Sequence, residues 1–127
     1  MKCPCCSGKT YQECCAPLHE GGFADSPLSL MRSRYSAYAL SKVDYIIRTT
    51  HPKNPDYQAD HVKWALSILQ FCQSTQFEKL EIISAEQNTV SFVAHLNQEG
   101  KPFLMRENSA FQKEGQQWLY LTGSLRK

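Results

Sequence analysis

Five of the six cysteines in this 127-residue chain lie within its first 15 residues. They are Cys3, Cys5, Cys6, Cys14 and Cys15, and Cys72 is the sixth. No apolar stretch follows Lys2, so the sequence does not indicate a signal peptide, and we expect a cytoplasmic protein. In a reducing compartment, clustered cysteines are more often metal ligands than disulfides. The cluster therefore predicts a metal site near the N-terminus.

The spacing of these cysteines suits a zinc ion. Cys3-Pro4-Cys5 can place two sulfurs on one side of an extended turn, and Ser7-Gly8 supplies a tight reversal before Cys14-Cys15 closes the site. Four thiolates complete a tetrahedral zinc site and leave no open position for a substrate. Segments with so little apolar core usually need a metal or disulfides to fold. We therefore expect a zinc ion with a structural role.

The composition is typical of a globular protein and excludes several classes. Hydrophobic residues make up 42% of the chain and charged residues 20%. No apolar run approaches the roughly 20 residues that span a bilayer, so a membrane protein is not expected. The net charge of +2 is too small to indicate a nucleic-acid or ribosomal partner. Gly21-Gly22 ends the cysteine-rich segment, which predicts a metal-binding module over residues 1–22 and a second domain over 23–127.

The first half of the second domain has helical periodicity. Ser26 as N-cap and Pro27 at the first position predict one helix, and Ser41 is expected to cap a second that ends near His51. A third helix is predicted from about Asp60 to about Ser74. The apolar stripe of the first helix consists of Leu28, Met31, Tyr35 and Tyr38. The apolar face of the third is expected to consist of Val62, Ala65, Leu66, Leu69 and Cys72.

The second half alternates with a period of two residues, which is typical of strands. Leu80 and Ile82 begin a first strand, and a second runs over about 89–96 with Val90, Phe92, Ala94 and Leu96 on one face. Hairpin turns are expected at Gly100 and Gly115. Three helices followed by four strands predict an α+β domain whose helices cover one face of an antiparallel sheet.

The cysteine segment C-P-C-C-S-G-K-T-Y-Q-E-C-C resembles the SEC-C motif, a short zinc-binding module also found in the preprotein translocase motor SecA. The metal ligands of that family fall on Cys3, Cys5, Cys14 and Cys15. Cys6 lies where the family usually has glycine. This departure leaves open whether Cys6 substitutes as a ligand or is a reactive thiol, since Lys2 and Lys9 would lower its pKa.

Nearly the whole chain resembles the YchJ family of uncharacterised bacterial proteins. The resemblance rests on Cys14-Cys15-Ala16-Pro17-Leu18-His19, on residues 30–38 (L-M-R-S-R-Y-S-A-Y), and on later landmarks. These landmarks are Tyr45, His51-Pro52, Trp64 and Arg106-Glu107-Asn108-Ser109. The resemblance implies a SEC-C module joined to a cone-shaped domain similar to nuclear transport factor 2, with three helices packed on a curved antiparallel sheet.

A cone of this type often encloses a pocket between helices and sheet. The candidate pocket residues are Arg34, Tyr38, His51, Trp64 and Arg106. Four of them have a structural alternative: Tyr38 and Trp64 as core residues, His51 as a helix cap, and Arg106 as half of an ion pair. The sequence contains no paired carboxylates and no nucleophile motif, so we assign no catalytic residue and leave enzymatic activity open.

Three hypotheses about function follow. The SEC-C resemblance implies a protein-interaction or adaptor module with a structural zinc, which would offer Lys2 and Lys9 to a protein partner. The alternative is a small-molecule binder or enzyme that uses the pocket of the cone, with Arg106 and His51 as polar groups. In the third, the zinc module only caps and stabilises the cone. The identity of a partner and the oligomeric state are not indicated by the sequence.

Overall fold

Four antiparallel strands form a single sheet in which every strand pairs with its neighbour in sequence. The computed structural model describes residues 1–125. The elements in chain order are α1 (Ala16–His19), α2 (Pro27–Ala39), α3 (Val43–Arg48), α4 (His61–Ser74), β1 (Gln76–Ala85), β2 (Thr89–Gln98), β3 (Lys101–Glu114) and β4 (Gln117–Leu125). The predicted α+β class is confirmed, with α1 as an additional short helix inside the cysteine-rich segment. No helix among residues 1–125 is long and apolar enough to cross a membrane.

Helix α2 begins as predicted, because the Ser26 side chain accepts a hydrogen bond from the Ser29 amide at 3.1 Å. Its apolar residues pack into the core, with Tyr35 only 4% exposed. Two serines of the same helix, Ser33 and Ser36, are also fully buried, and both contact His19 of the N-terminal segment. The helix therefore lies between two layers, which explains why it has no continuous polar face.

Helix α3 differs from the prediction at both ends. Ser41 has a φ of 58° and does not cap the helix, whose N-cap is Lys42 without a side-chain hydrogen bond. The helix ends at Arg48, three residues before His51. It stops there because residues 49–51 pair with β4: the Tyr120 amide donates to the Thr49 carbonyl at 2.7 Å, and the His51 amide donates to the Tyr120 carbonyl at 2.9 Å.

Helix α4 has the predicted bounds, and Asp60 is its N-cap. The Asp60 carboxylate accepts from the amides of Val62 and Lys63, both at 3.1 Å. Its predicted apolar face is wrong for Val62, which is 74% exposed, and Leu66, which is 58% exposed; Ala65 and Leu69 are half-buried and Cys72 is buried. The helix carries two apolar stripes, and the one that turns inward contains the large Trp64 and Ile68, which together with Cys72 are buried. The sheet selects this stripe because burying an indole removes the most apolar surface from water.

The sheet curves toward the helices. The predicted inner face of β2 is confirmed, since Val90, Phe92, Ala94 and Leu96 are all at most 3% exposed. Register shifts occur twice in the pairing of β1 with β2 and once in that of β3 with β4. Such irregularities bend strands and increase their twist. The bent sheet and helices α2 and α4 enclose a space, described below.

Candidate functional site

The structure brings four cysteine sulfurs together at the N-terminus. The Sγ atoms of Cys3, Cys5, Cys14 and Cys15 all lie within 4.8 Å of one another. Cys14 Sγ is 3.6 Å from Cys5 Sγ and 3.8 Å from Cys15 Sγ. In a tetrahedral zinc site with metal–sulfur distances of about 2.3 Å, neighbouring sulfurs are about 3.8 Å apart. Both the geometry and the all-sulfur donor set therefore fit a zinc ion.

The backbone of residues 2–10 forms the loop that presents the first two sulfurs. Lys2 and Thr10 form an antiparallel bridge, and the Cys3 amide donates to the Lys9 carbonyl at 2.9 Å. Gly8 has a φ of 89°, which glycine adopts without the steric cost that a side chain would add. The tight reversal expected at this position is therefore present, and it folds the loop back toward Cys14.

Hydrogen bonding within the cluster separates the sulfurs in acidity. The hydrogen bond from Cys15 lowers the pKa of the Cys5 thiol to about 4. The same hydrogen bond, followed by burial, raises the pKa of Cys15. Of these two cysteines, Cys5 therefore loses its proton more readily, and the resulting thiolate is the form that binds a metal.

Cys6 lies outside the four-sulfur cluster. Its φ is 65°, in the left-handed region that favours glycine, and this accounts for the glycine expected there from the resemblance. The Cys6 Sγ accepts from the Leu80 amide of β1 at 3.5 Å and donates to the Pro4 carbonyl at 3.6 Å. Of the two alternatives left open for this thiol, the geometry does not favour a ligand.

The cysteine-rich segment is held on helix α2 by side chains of both: Arg32 of the helix and His19 of the segment. Arg32 Nη1 donates to the Cys5 carbonyl at 2.8 Å. His19 Nε2 lies 2.8 Å from the Ser33 carbonyl, which can only accept, so Nε2 carries the proton and Nδ1 accepts from the Tyr11 hydroxyl at 2.7 Å. Burial lowers the pKa of His19, in agreement with this neutral form. These contacts therefore hold the cysteine-rich segment against α2.

A second candidate site is a cavity of about 430 Å³ between α2, α4 and the concave face of the sheet. Most of its wall is apolar and includes Met31, Ile68, Phe71, Phe92 and Met105. Its polar lining comes from Arg34, Tyr38, Asp56, Ser67, Glu107, Ser109 and Tyr120. A pocket with apolar walls and a few convergent polar groups is the usual form of a small-molecule site.

Arg34 is the buried cation of this cavity, with only 6% of the residue exposed. Its Nη1 donates to the Ile46 carbonyl at 3.0 Å and to the hydroxyls of Thr49 at 2.8 Å and Thr50 at 3.2 Å. The guanidinium also lies 4.7 Å from the centre of the Tyr120 ring. These neutral partners orient the cation without neutralising it.

Glu107 lines the cavity, although it is not one of the five predicted pocket residues. Its Oε1 accepts from the Tyr120 hydroxyl at 2.8 Å and from Ser109 Oγ at 3.1 Å. Burial, followed by the Glu107 charge, raises the pKa of Tyr120, so its hydroxyl stays a donor. Gly123 of β4 makes room for this group, because a Cβ atom at that position would overlap the Glu107 carboxylate and the Tyr120 hydroxyl. Strand alternation, which sets Glu107 opposite to Arg106, could have identified it.

The five predicted pocket residues have different locations. Arg34 and Tyr38 line the cavity. Trp64 is a core residue, 5.0 Å from the Tyr57 ring between centroids. His51 is buried and binds Glu114 Oε1 at 2.8 Å, away from the cavity lining.

Arg106 is exposed and lies on the outer face of the sheet. Its neighbours Met105 and Glu107 line the cavity, and successive residues of a strand point to opposite faces. The proposed use of Arg106 as a clamp inside the pocket is therefore wrong. Arg106 instead pairs with Val93 in the sheet register, and its charge lowers the pKa of Glu81 after the larger effects of His95 and Lys79.

Comparison with known proteins identifies a family with this architecture. Residues 26–123 match the family model described as YchJ, middle NTF2-like domain. A UPF0225 protein of Pectobacterium carotovorum is 38% identical over 131 residues, covering 95% of this chain and 81% of the relative. A UPF0225 protein of Deinococcus radiodurans is 39% identical over 121 residues, covering 94% and 85% respectively.

Solved structures agree with the family match. The solution structure of a SEC-C motif containing protein from Rhodopseudomonas palustris is 36% identical, covers 100% of both chains and superposes with a TM-score of 0.83. A SEC-C motif containing protein from Psychrobacter arcticus, 24% identical, has the same fold with a TM-score of 0.75 over 98% of this chain and 82% of that one. The chain therefore belongs to the YchJ (UPF0225) family of bacterial proteins, with a SEC-C cysteine cluster joined to an NTF2-like domain.

Proposed function

We propose that Cys3, Cys5, Cys14 and Cys15 bind one Zn²⁺ ion with a structural role. The observation that carries the proposal is the pair of sulfur separations of 3.6 and 3.8 Å, which match a tetrahedral zinc–thiolate site. Four protein sulfurs leave no coordination position for a substrate, so the metal supplies folding free energy rather than catalysis. The ion would hold residues 1–22, which have little apolar core of their own, in the shape that docks on α2.

The metal content of the reduced protein tests this proposal. Elemental analysis of protein purified without oxygen should find one zinc per chain, and Cys14→Ser should lose it. Cys72→Ala is the matched control, because Cys72 is a buried cysteine outside the cluster. Removal of the metal by a chelator should raise amide exchange in residues 1–22. Zinc-free protein with unchanged exchange, or equal zinc loss in both variants, would contradict the structural role.

We further propose that the module of residues 1–22 contacts a protein partner with an acidic surface. The feature in favour is that Lys2 and Lys9 are both exposed and lie on the two paired segments of one loop, where Lys2 bridges Thr10 and the Cys3 amide donates to the Lys9 carbonyl. Docking on α2 fixes their orientation, which lowers the entropy that binding would cost. This is the adaptor role that the SEC-C resemblance implies.

Charge reversal tests the adaptor role. Lys2→Glu with Lys9→Glu should abolish capture of a specific host protein, identified by mass spectrometry, while the zinc content stays the same. The exposed Lys53 and Lys63, reversed together, are the control. Equal capture by both double variants would refute the role. So would loss of zinc from the Lys2/Lys9 variant, because the lysines would then serve to offset the negative charge of the metal–thiolate centre.

A second candidate function is small-molecule binding in the cavity of the cone. The observation that favours it is the buried Arg34, which faces a 430 Å³ space without an acidic partner within ion-pair distance among residues 1–125. Ala94 lines the same space and is 1% exposed, so Ala94→Leu should fill part of it. A fragment that shifts the amide NMR signals of cavity residues in the native chain should bind more weakly to this variant. Unchanged binding would exclude the cavity as its site.

A further inference from the structure

We propose that the cavity takes a small organic acid with an apolar body, whose carboxylate pairs with Arg34. This inference rests on the small-molecule function proposed for the cavity and names its ligand class. It is independent of the metal, because the residues that carry it belong to α2, α4 and the sheet.

The guanidinium of Arg34 has unused donors. All of its protein hydrogen bonds come from Nη1, and within residues 1–125 neither Nε nor Nη2 has a protein acceptor. Neither nitrogen is sealed away from solvent as a buried unpaired atom, since only the Tyr35 hydroxyl is in that state in the described part of the chain. Because Arg34 lines the cavity and these nitrogens keep some access to solvent, we infer that their N–H groups face it. Two adjacent N–H groups of a guanidinium match the two oxygens of a carboxylate.

The placement of the cation makes an anion the favoured partner. Burying a charge is costly unless it is paired, and the neutral acceptors around Nη1 provide no counter-charge. The Tyr120 ring covers one face of the guanidinium and leaves the plane of the fork for a ligand. A bound carboxylate would place a negative charge in direct contact with the guanidinium, which no acidic residue among 1–125 does, and such a pair is stronger in a partly enclosed site than at the open surface.

Two acidic residues also line the cavity and limit the charge of the ligand. Glu107 lies on the sheet side with Oε1 engaged by Tyr120 and Ser109, and Asp56 is exposed. With one cation against two carboxylates, a monoanion is accepted more readily than a dianion. The second oxygen of Glu107 has no protein donor within the described chain, so a hydroxyl or amino group on the ligand would find an acceptor there.

The remaining wall sets the body of the ligand. Phe71, Phe92 and Met105 are among the apolar side chains that surround the 430 Å³ space, which lies within the usual range of small-molecule sites. Sugars and nucleotides need polar partners along their whole length and do not match such a wall. A short aliphatic chain or a single aromatic ring does.

The test uses two probes that differ only in the charged group, 4-phenylbutyrate and 4-phenylbutan-1-ol, titrated into the full chain by NMR. The acid should bind the native protein at least about tenfold more tightly than the alcohol. Arg34→Met should reduce the affinity for the acid to that for the alcohol, and leave the affinity for the alcohol unchanged. Arg106→Met, which removes the same charge from the outer face, is the control and should change neither affinity.

The outcomes separate the ligand class from the function beneath it. If both probes bind in the cavity with equal affinity, or if Arg106→Met removes the preference, the inference is overturned and small-molecule binding stands. If neither probe shifts cavity signals at millimolar concentration, both are overturned. If Arg34→Met does not fold, the Nε–H signal of Arg34 in the native chain decides. It must shift with the acid and not with the alcohol, and an Nε–H unmoved by bound acid refutes the pairing.

Discussion

Replacing Gly123 by alanine should destabilise the protein, although the change adds only one methyl group. A Cβ atom at position 123 would overlap the Glu107 carboxylate and the Tyr120 hydroxyl. The overlap can be relieved only if these side-chain ends move apart, which breaks the 2.8 Å bond from Tyr120 and the 3.1 Å bond from Ser109 to Glu107. Hydrogen bonds to a charged group contribute about 1.5–3 kcal/mol each.

The expected loss is about 1–2 kcal/mol in the free energy of unfolding, since the overlapped atoms are the ends of flexible side chains that can move aside. It is smaller than two full hydrogen bonds because alanine restricts the unfolded chain more than glycine does, which returns about 0.4–1 kcal/mol. Urea denaturation of the native chain and of Gly123→Ala measures the difference. Thr122→Ala is the control, because it introduces alanine at the exposed neighbouring position of β4. It should change the free energy of unfolding by less than about 0.5 kcal/mol.

A double-mutant cycle identifies the cause. Glu107→Ala removes the group that the new methyl would strike, so the double variant with Gly123→Ala should be destabilised by less than the sum of the two single variants. The difference should be at least about 1 kcal/mol, as found for residues in direct contact. Additive effects, or a Gly123→Ala variant as stable as the native chain, would refute the claim that the glycine is there to accommodate the carboxylate.

Three further predictions concern the cysteine-rich segment and the hydrogen bond between His51 and Glu114 at the end of β3. Cys6→Gly should keep one zinc per chain in elemental analysis and change the free energy of unfolding by less than about 1 kcal/mol, because relief of the left-handed φ is offset by the lost contact with the Leu80 amide and by the more flexible unfolded chain; loss of zinc would make Cys6 a ligand. Arg32→Ala removes the 2.8 Å bond to the Cys5 carbonyl and should speed amide exchange in residues 1–22 but not in β2 or β3; uniform acceleration would contradict local docking. The hydrogen bond from His51 holds the pKa of Glu114 below its usual value, so the stability from this pair is present above the ordinary glutamate pKa and is lost as the pH falls through the lowered one. His51→Leu should raise the pKa of Glu114 in a carboxyl ¹³C titration, and an unchanged midpoint would exclude the pairing.

The sequence predicted those features that depend on interactions between residues close together in the chain. Asp60 marks the start of α4 because its side chain caps the first amides, and the alternation of Val90 to Leu96 identifies the inner face of β2. The left-handed Cys6 agrees with the glycine expected from the SEC-C pattern. The clustering of the cysteine sulfurs likewise follows from residues at most 12 positions apart.

Features that depend on distant parts of the chain were not predictable in this way. Helix α3 ends early because residues 49–51 pair with Tyr120, some 70 positions away. The inward stripe of α4 was misassigned because both of its stripes are apolar, and only the sheet selects between Trp64 and Leu66. Glu107 was not chosen over Arg106 because the role of a carboxylate there depends on Tyr120 and Gly123, which lie on the next strand.

The two-sided burial of α2 has a practical consequence for dissecting this protein. Cutting the chain after Gly22 would uncover Ser33 and Ser36 and leave Arg32 without the Cys5 carbonyl that it binds. Arg34 lies two positions further along α2, and this helix would then be packed on one side only. A truncated protein starting at Phe23 therefore does not represent the intact protein. Ligand affinities measured on it would apply to a cavity in which α2 has lost the contacts on its other side.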